Sequence, residues 1–404
     1  MNGWKTYELG ELLLYEQPTK YIVKSTDYDD SYATPVLTAG KSFILGYTDE
    51  EDGLYPQDGL PVIIFDDFTT SSKYVDFPFK VKSSAMKILI PNTELVLPKY
   101  IFYRMQVIQF DHSTHKRYWI QQYSKLKVSI PDKSEQERVV GQIEEMFSQI
   151  DGGERILQKT RQQLAVYRQS VLIEAFKGGF TENIHIDINE KLQWVADEDI
   201  KSLPDIPQEW KYISLHRLGE LGRGRSKHRP RNDIKLFENG KYPFLQTGEI
   251  KAADKYITEY SKMYGEFGLN QSKLWPKGTL CITIAANIAE TAFLGIDACF
   301  PDSVVGFTPS TLVNPMYIKY FIESQKLRLW AFAPATAQKN INLDTLEKLI
   351  VPYCDIVEQN LVVEEIEERM SVCDNIEKTV EIVLQQLKAM RQSILKTAFE
   401  ERLM

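Results

Sequence analysis

Apolar residues recur every seven positions in two separate, proline-free stretches of the chain. The rows are Ile143, Ile150, Leu157, Leu164 and Val171 in the first stretch, and Ile366, Cys373, Val380, Leu387 and Ile394 in the second. A weaker row lies three residues further on, at Met146 and Tyr167 and again at Ile376, Val383 and Met390. A heptad sustained this far predicts coiled-coil helices. Residues 135–180 and 356–404 are therefore predicted to form two long helices that pair with each other. The alternative is an amphipathic helix that packs on its own domain.

One segment weakens the first predicted helix. Asp151-Gly152-Gly153 places two consecutive glycines inside it, which costs about 2 kcal/mol of helix propensity relative to alanine. This predicts an interruption with a local kink. A flex point or a close helix–helix approach is the alternative.

The two stretches belong to an internal duplication. Arg168-Gln169-Ser170 returns as Arg391-Gln392-Ser393, 223 residues later, and Leu9-Gly10-Glu11-Leu12 returns as Leu218-Gly219-Glu220-Leu221, 209 residues later. Between such anchors the halves barely resemble each other. A shared framework with different loops is the pattern expected of two binding domains that read different targets.

The regions before the two helices mix short apolar runs with turn signals. This predicts an α+β fold, with one domain at residues 1–134, another at 210–355, and a polar linker at 181–209. The clearest predicted strands are Thr34–Thr38, Val62–Phe65, Lys87–Ile90 and Thr279–Ala285. Predicted helices run from Pro98 to about Phe110 and from Pro315 to about Phe332.

Composition limits the class of protein. The chain has 404 residues, 43% hydrophobic, and no stretch approaches the eighteen or so apolar residues of a membrane span. Its four cysteines are scattered and its histidines lack ligand spacing, so we expect no metal site and a reduced, cytoplasmic protein. The net charge of −8 argues mildly against a simple nucleic-acid binder, although charge distribution matters more than the sum.

One motif approaches catalytic chemistry. Asn314-Pro315-Met316-Tyr317 is close to the Asn-Pro-Pro-Tyr motif of amino-methyltransferases. Its counterpart in the first half is Leu97-Pro98-Lys99-Tyr100, which cannot serve that chemistry, and the second proline is missing. We therefore expect no catalysis at this site.

A run of cations opens the second domain: Arg223, Arg225, Lys227, Arg229 and Arg231, with no acid between them. Such a loop fits DNA phosphates, since each Lys or Arg displaces counterions from the duplex. A solvated charged loop is the alternative.

Further candidate DNA contacts are cations, amides and hydroxyl groups in predicted loops. Gln and Asn can pair with adenine, and Arg or Lys with guanine, although each such residue can equally be surface decoration. The candidates in the first half are Thr69, Thr70, Ser71, Lys73, Lys82, Lys116, Arg117, Trp119 and Gln121. Those in the second half are Thr247, Asn287, Gln338, Lys339 and Asn340.

Two variable regions, each followed by a long helix that ends near Arg-Gln-Ser-x-Leu-x-x-Ala-Phe, resemble the specificity subunit of type I restriction–modification enzymes. The resemblance covers nearly the whole chain. It is carried by the two helical tails, by the segments 131–136 and 352–359 that enter them, and by Gln338-Lys339-Asn340-Ile341. Residues 15–20 and 65–70 look like one subgroup of these recognition domains. Trp119-Ile120 departs from the Asn340-Ile341 pattern.

The resemblance implies a phage-defence subunit without catalysis or cofactor that binds a bipartite double-stranded DNA site, one half-site per domain. Its helices would pair antiparallel, holding the domains at opposite ends and setting the spacer between half-sites. It would recruit two methyltransferase subunits that use S-adenosylmethionine, and up to two restriction subunits that use ATP and Mg²⁺. The alternatives are an autonomous DNA adenine methyltransferase and a coiled-coil scaffold without DNA contact.

Overall fold

The structure, a computed structural model, describes residues 4–38, 42–111, 117–181, 192–196, 200–201, 203–332 and 340–400. It divides into two compact units. The first comprises Met1–Lys159 with Val380–Met404, and the second comprises Thr160–Thr379. Each unit therefore holds one sheet-rich region and part of both long helices. The division of the chain into five segments made from the sequence stays a prediction.

The first unit contains nine strands: β1 (Lys5–Glu8), β2 (Leu13–Glu16), β3 (Thr34–Leu37), β4 (Ile44–Thr48), β5 (Val62–Asp66), β6 (Ser72–Val75), β7 (Lys80–Val81), β8 (Met86–Pro91) and β9 (Lys127–Ile130), counted over its described residues. Its short helices are α1 (Leu9–Leu12), α2 (Pro98–Met105) and α3 (Tyr118–Gln121). The first long helix is α4 (Lys133–Ala175).

The second unit contains β10 (Lys211–Ser214), β11 (Gly219–Arg223), β12 (Tyr242–Phe244), β13 (Tyr256–Ile257), β14 (Lys262–Tyr264), β15 (Leu274–Trp275), β16 (Leu280–Thr283), β17 (Thr291–Leu294), β18 (Ala298–Cys299), β19 (Val304–Pro309) and β20 (Ile350–Tyr353). Its short helices are α5 (Thr247–Ala252), α6 (Glu266–Asn270), α7 (Pro315–Ser324), α8 (Lys326–Phe332) and α9 (Leu343–Glu347). The second long helix is α10 (Ile356–Glu400).

The sheets share a common strand order in both units, and the second unit adds β13 and β15 at two sheet edges. This confirms the α+β fold class and extends the duplication to three dimensions. In the first unit the sheet orders are β1-β9, β2-β8-β5-β6 and β4-β3-β7. In the second they are β10-β20, β11-β19-β16-β17-β13 and β14-β12-β18-β15. The parallel pair β3–β7 returns as the parallel pair β12–β18. The central strands β5 and β16 are buried apolar runs, as the sequence predicted.

Both long helices begin with the same arrangement of side chains. An aspartate just before each helix, Asp132 or Asp355, accepts hydrogen bonds from backbone N–H groups of the first turn, which stabilises the helix start. A fully buried glutamine follows. Gln136 accepts the Leu97 N–H and donates to the Pro131 carbonyl, while Gln359 accepts the Asn314 N–H and donates to the Cys354 carbonyl. The resemblance segments at residues 131–136 and 352–359 thus fix the helices to the sheet-rich regions.

The far ends of the helices are fixed by repeated aromatic contacts. In the first unit the Phe399 ring lies 5.4 Å from the Tyr100 ring. In the second unit the Phe176 ring lies 5.0 Å from the Tyr317 ring. The sequence repeat at Phe176 and Phe399 therefore serves packing onto α7 and α2, respectively.

The main heptad row is confirmed as the buried face of the helices. Ile143, Ile150, Leu164, Val171, Ile366, Cys373 and Val380 are buried, and Leu157, Leu387 and Ile394 are half-buried. Within each unit the two helical portions run antiparallel. Asp151 and Gly153 contact Arg391 and Leu387 in the first unit, and Arg168 contacts Asp374 in the second.

The weaker heptad row was a wrong prediction. Val383 is only half-buried, and the other four residues of that row, Met146, Tyr167, Ile376 and Met390, are exposed. The second line of contact lies one residue later instead, and it is partly ionic.

Two matching ion clusters form this second line of contact. Arg168 donates to Asp374 at 2.6 Å and to Glu377 at 3.1 Å in the second unit. Arg391, its counterpart in the repeat, bonds Asp151 and lies 3.7 Å from Glu154 in the first unit. Asp151 and Glu154 are 223 residues before Asp374 and Glu377, so the clusters themselves are duplicated.

The predicted interruption at Asp151-Gly152-Gly153 is also wrong, because α4 continues without a break from Lys133 to Ala175. A Cβ built on Gly153 would lie 3.6 Å from Leu387 Cδ1, an ordinary contact distance. The flanking heptad contacts therefore outweigh the low helix propensity of the two glycines.

The first of the two shorter predicted helices ends earlier than expected, and the second reaches Phe332 but is divided. Helix α2 stops at Met105 because residues 106–108 bond to carbonyls three positions back, which tightens the last turn. The second predicted helix is divided at Gln325 into α7 and α8. In the described part of the chain, no helix is long and apolar enough to cross a membrane. Across those same residues, no three His, Cys, Asp or Glu side chains are grouped as metal ligands would be.

Candidate nucleic-acid interface

The loop between β5 and β6 carries Thr69, Thr70 and Ser71 in a tight, closed conformation. The Asp66 carboxylate accepts the N–H groups of Phe68 and Thr69, and its carbonyl accepts the Thr70 N–H at 2.9 Å. Thr70 adopts a φ of 57°, a left-handed conformation that reverses the chain. The loop therefore presents a defined surface.

Asp67 ties this loop to the protein core. It is 2% exposed, its carbonyl accepts the Tyr118 N–H at 2.9 Å, and its carboxylate accepts the Trp119 N–H at 2.8 Å. The buried Lys87 supports the same carboxylate, with its Nζ 3.7 Å from Asp67 and 2.7 Å from the Gln17 side-chain oxygen. Lys87 was not among the predicted site residues, although a lysine inside the otherwise apolar strand β8 was a visible signal.

Trp119 is a core residue, so its prediction as a DNA contact is wrong. Only 2% of it is exposed, and its ring lies 5.2 Å from the Phe65 ring. An indole of this size gains more from burial than from a position in the loop surface.

Other predicted residues of the first half remain at the surface. Arg117 and Gln121 are exposed on either side of Tyr118 and Trp119, the two residues that bond Asp67. Lys73 is exposed on β6. Lys82 is exposed just after β7, which belongs to the sheet β4-β3-β7. Its Nζ lies 3.5 Å from the Tyr28 hydroxyl. The structure gives no contact between Lys82 and the β5–β6 loop among the described residues. Lys116 lies outside those residues.

The first part of the basic run of the second half, residues 223–227, alternates between exposed and buried positions. Arg223, Arg225, Lys227, Arg229 and Arg231 are all exposed. Gly224 and Ser226 between them are buried, since a Cβ on Gly224 would come within 2.3 Å of the Pro301 carbonyl oxygen. Alternate residues of an extended segment share one face, so Arg223, Arg225 and Lys227 lie on one side of this segment. The chain then bends at residues 228–230, and we call the five exposed cations together the basic row.

Asp302 bonds both Arg223 and Arg231, and no sequence pattern predicted this role for it. Its carboxylate accepts from Arg231 at 2.7 Å, and its carbonyl accepts from Arg223. Inside the row, His228 lies 2.7 Å from the Asp233 carboxylate, and this hydrogen bond lowers the pKa of Asp233. Asp302 and Asp233 therefore hold the basic row in a defined conformation.

A cleft of about 370 Å³ brings four of the predicted residues of the second half together. Its lining includes Arg223, Arg231, Thr247 and Asn340, together with Asp302. Cations, a hydroxyl group and an amide in one polar cleft are the donors and acceptors that base edges and phosphates require.

The loop after β16 forms one wall of this cleft. Ala286 and Ala289 both have positive φ, at 64° and 61°, and the Thr283 hydroxyl donates to the Asn287 carbonyl. Asn287 is half-buried in this loop. Glu290, at its end, is held by Lys326 at 2.8 Å and is not available as an unpaired acceptor.

The two candidate sites are built on one backbone plan. The residue following β5, Asp67, accepts the N–H of Tyr118, and the residue following β16, Ile284, accepts the N–H of Ile341 at 2.9 Å. Arg117 and Asn340, which precede these donors, therefore occupy matching positions. This revises the earlier comparison of Trp119 with Asn340. Gln338 and Lys339 lie outside the described residues.

The Asn314 motif is structural. The Asn314 side chain accepts the Met316 N–H at 2.8 Å and so caps α7, while its amide donates to Asn360. It serves the helix start.

Comparisons with known proteins agree with this architecture. The family described as "Type I restriction modification DNA specificity domain" matches residues 1–165 and 207–386. The specificity subunit of the Escherichia coli type I restriction enzymes EcoR124I and EcoR124II is 32% identical over 373 residues, which cover 88% of this chain and 84% of that protein. The specificity subunit of the Escherichia coli enzyme EcoBI is 25% identical over 283 residues, covering 68% of this chain and 58% of that protein.

Solved structures share the fold over the full length. A chain from a study of assembly and conformational transition in a type I R-M system superposes with a TM-score of 0.69 at 17% identity, covering 99% of this chain and 98% of that one. The HsdS subunit from Thermoanaerobacter tengcongensis gives a TM-score of 0.50 at 16% identity, with 99% and 97% covered. With the duplicated sheets, the repeated helix contacts and the matched family domains, this chain belongs to the specificity subunits of type I restriction–modification systems.

Proposed function

We propose that this chain selects a bipartite double-stranded DNA site, with one half-site bound by each sheet-rich region. The observation that carries the proposal is the matched pair of sites. The backbone bonds Tyr118–Asp67 and Ile341–Ile284 are the same, yet the exposed residues beside them are Arg117 in one and Asn340 in the other. One framework with different surface chemistry is what two different half-sites require.

The side chains of these sites divide by chemistry. Arg117, Gln121, Asn287 and Asn340 are candidates for reading base edges, because Arg pairs with guanine and Gln or Asn with adenine. Thr69, Thr70, Ser71, Lys73, Lys82, Thr247 and the basic row from Arg223 to Arg231 are candidates for phosphate contact, which positions the protein on the duplex.

The chain is the recognition component of a larger enzyme, without catalysis or cofactor of its own. The relatives are named as subunits of type I restriction enzymes. We propose two methyltransferase partners, which use S-adenosylmethionine, because the helix surfaces available for docking are duplicated. Up to two restriction partners that use ATP and Mg²⁺ would join them, in the cytoplasm.

Methylation-site sequencing of DNA from cells with and without this chain tests the proposal directly. We expect a two-part motif with a fixed spacer that appears only when the chain is present. Substituting Asn287 and Asn340 with Ala should alter the second half of the motif alone, while Arg117→Ala should alter the first half alone. Labelled methyl transfer by the purified chain alone would instead support an autonomous methyltransferase, and no dependence of the motif on residues 1–134 would support a scaffold.

The basic row gives a quantitative prediction. Among the described residues the guanidinium of Arg225 and the ammonium of Lys227 have no hydrogen-bonded side-chain partner, so both are open to phosphates. Replacing both with Gln should reduce the slope of log affinity against log salt by roughly 2, about 0.9 for each lost phosphate contact. Binding of the assembled methyltransferase complex to its site, titrated across salt concentrations, measures this.

Lys348→Gln is the matched control, since Lys348 is exposed and pairs with Asp344 away from the basic row. It should leave the slope unchanged. An equal slope for the double variant and the control would remove the basic row from the DNA interface.

A further inference from the structure

Phe68 stands out at the surface of the first candidate site. It is 48% exposed, in a loop whose other exposed members, Thr69 and Ser71, carry hydroxyl groups. Scattered exposed apolar side chains are common on proteins. This one is an aromatic ring on a loop that offers polar groups everywhere else.

The loop holds Phe68 outward by backbone bonds on both sides. Its own N–H donates to the Asp66 carboxylate at 2.9 Å, and its neighbour Asp67 is buried and bonded to Tyr118 and Trp119. The loop backbone therefore fixes the Phe68 ring in its exposed position. The core below is filled by Phe65 and Trp119, whose rings are 5.2 Å apart.

Phe68 and Arg117, the candidate base-reading residue of this half, neighbour the same bonded pair of residues. Asp67 and Tyr118 are bonded to each other, and Phe68 and Arg117 are their immediate chain neighbours. An exposed ring and an exposed guanidinium therefore flank one rigid anchor.

Resting on the proposed function, we infer that Phe68 is a specificity-determining residue that contacts the C5-methyl group of a thymine in the first half-site. The thymine methyl is the apolar group that the major groove offers, and Phe is one of the side chains that pack on it. Phosphates and sugars give an exposed ring no comparable partner. Arg117 beside it would supply the polar contact to an adjacent base.

The test removes the methyl group and the ring separately. After methylation sequencing defines the site, duplexes are prepared in which each thymine of the first half-site is replaced in turn by deoxyuridine. Affinity and methylation rate are measured for the reconstituted methyltransferase complex with the native chain and with Phe68→Ala. Leu327→Ala, at another exposed apolar residue in α8, is the control for a surface change.

One deoxyuridine position should weaken binding of the native complex roughly fourfold, the effect of losing about one buried methyl group. The same substitution should have no further effect with Phe68→Ala, which itself weakens binding to the normal site at least fourfold. Deoxyuridine in the second half-site should affect both complexes equally.

Equal sensitivity of the two complexes to every deoxyuridine would overturn the inference, as would a first half-site without thymine on either strand. Both outcomes leave the proposed function standing, provided that the native complex still methylates a bipartite motif. Failure of the native complex to select any motif would instead remove the proposed function itself.

Discussion

Neighbouring residues in the segment 117–121 have opposite roles, and burial separates them. Trp119 fills the core beside Phe65, whereas Arg117 is exposed beside the loop. Trp119→Ala should lower the free energy of unfolding by about 3–5 kcal/mol through cavity formation. Arg117→Ala should leave stability within about 0.5 kcal/mol and weaken DNA binding. Urea unfolding and DNA titration of both variants measure this, and equal stability losses would contradict the assignment.

Glu50 and the buried Lys80 form an ion pair whose stability depends on pH. Burial acts to raise the pKa of Glu50, but hydrogen bonds from Lys80, Ser25 and Lys24 lower it from 4.5 to about 2. Because the folded-state pKa is depressed, the stabilisation is complete above about pH 4.5 and is lost as the pH falls through 2.

Glu50→Gln leaves the Lys80 ammonium, 1% exposed, without its counter-charge. We expect a loss of about 3 kcal/mol at pH 7. The stability difference between the native chain and the variant should narrow between pH 4.5 and pH 2. Urea unfolding at several pH values measures it, and a difference that stays constant down to pH 2 would show that the pair is not the cause.

At the scale of the element, helix α4 contains two consecutive glycines that its packing does not require. Gly152 has no atom within 4 Å of a built Cβ, and Gly153 has only Leu387 Cδ1 at 3.6 Å. Gly152→Ala and Gly153→Ala should each raise the free energy of unfolding by about 1 kcal/mol. Thermal unfolding of the single variants is the measurement. Destabilisation by Gly153→Ala would mean that the helices approach too closely there for a methyl group.

The elements that could be predicted from sequence are those with a long or strong pattern. The apolar spacing of the heptad row at Ile143 to Val171, and the apolar runs at Val62 and Leu280, predict burial directly, and these residues are mostly buried in the structure. The row at Met146 and Ile376 failed because an apolar residue at helical spacing does not show whether a partner covers it. In this chain the second line of contact between the helices is formed instead by the ion clusters of Arg168 and Arg391.

The candidate sites were only partly predictable for a related reason. The basic row and Asn340 carry their chemistry in the sequence and are exposed in the structure. Lys87 and Asp302 act by supporting other residues, and only the folded backbone brings Lys87 to Asp67 and Asp302 to Arg231. Trp119 was misassigned because a cation beside an aromatic residue suggests DNA contact before burial is known.

At the scale of the whole molecule, duplication separates what is shared from what differs. The buried glutamines Gln136 and Gln359, the end contacts of Phe176 and Phe399, and the ion clusters repeat, whereas the exposed loops do not. The shared parts are the helix pair and its attachment to the sheets. With a net charge of −8, the candidate DNA contacts of this chain rest on local cations such as the basic row and not on its overall charge.

If the paired helices set the distance between the two half-sites, a longer helix pair should increase the number of base pairs between them. Seven residues inserted between Lys159 and Thr160, and seven between Thr379 and Val380, preserve the heptad and lengthen each helix by about 10 Å. At 3.4 Å per base pair, the preferred spacer should grow by about three base pairs while both half-sites stay the same. Methylation sequencing in cells reports half-sites and spacer together. Insertion into one helix alone is the control, because it shifts Arg391 from Asp151 or Arg168 from Asp374 and should abolish methylation. An unchanged spacer in the double insertion would show that helix length does not determine the distance between the half-sites.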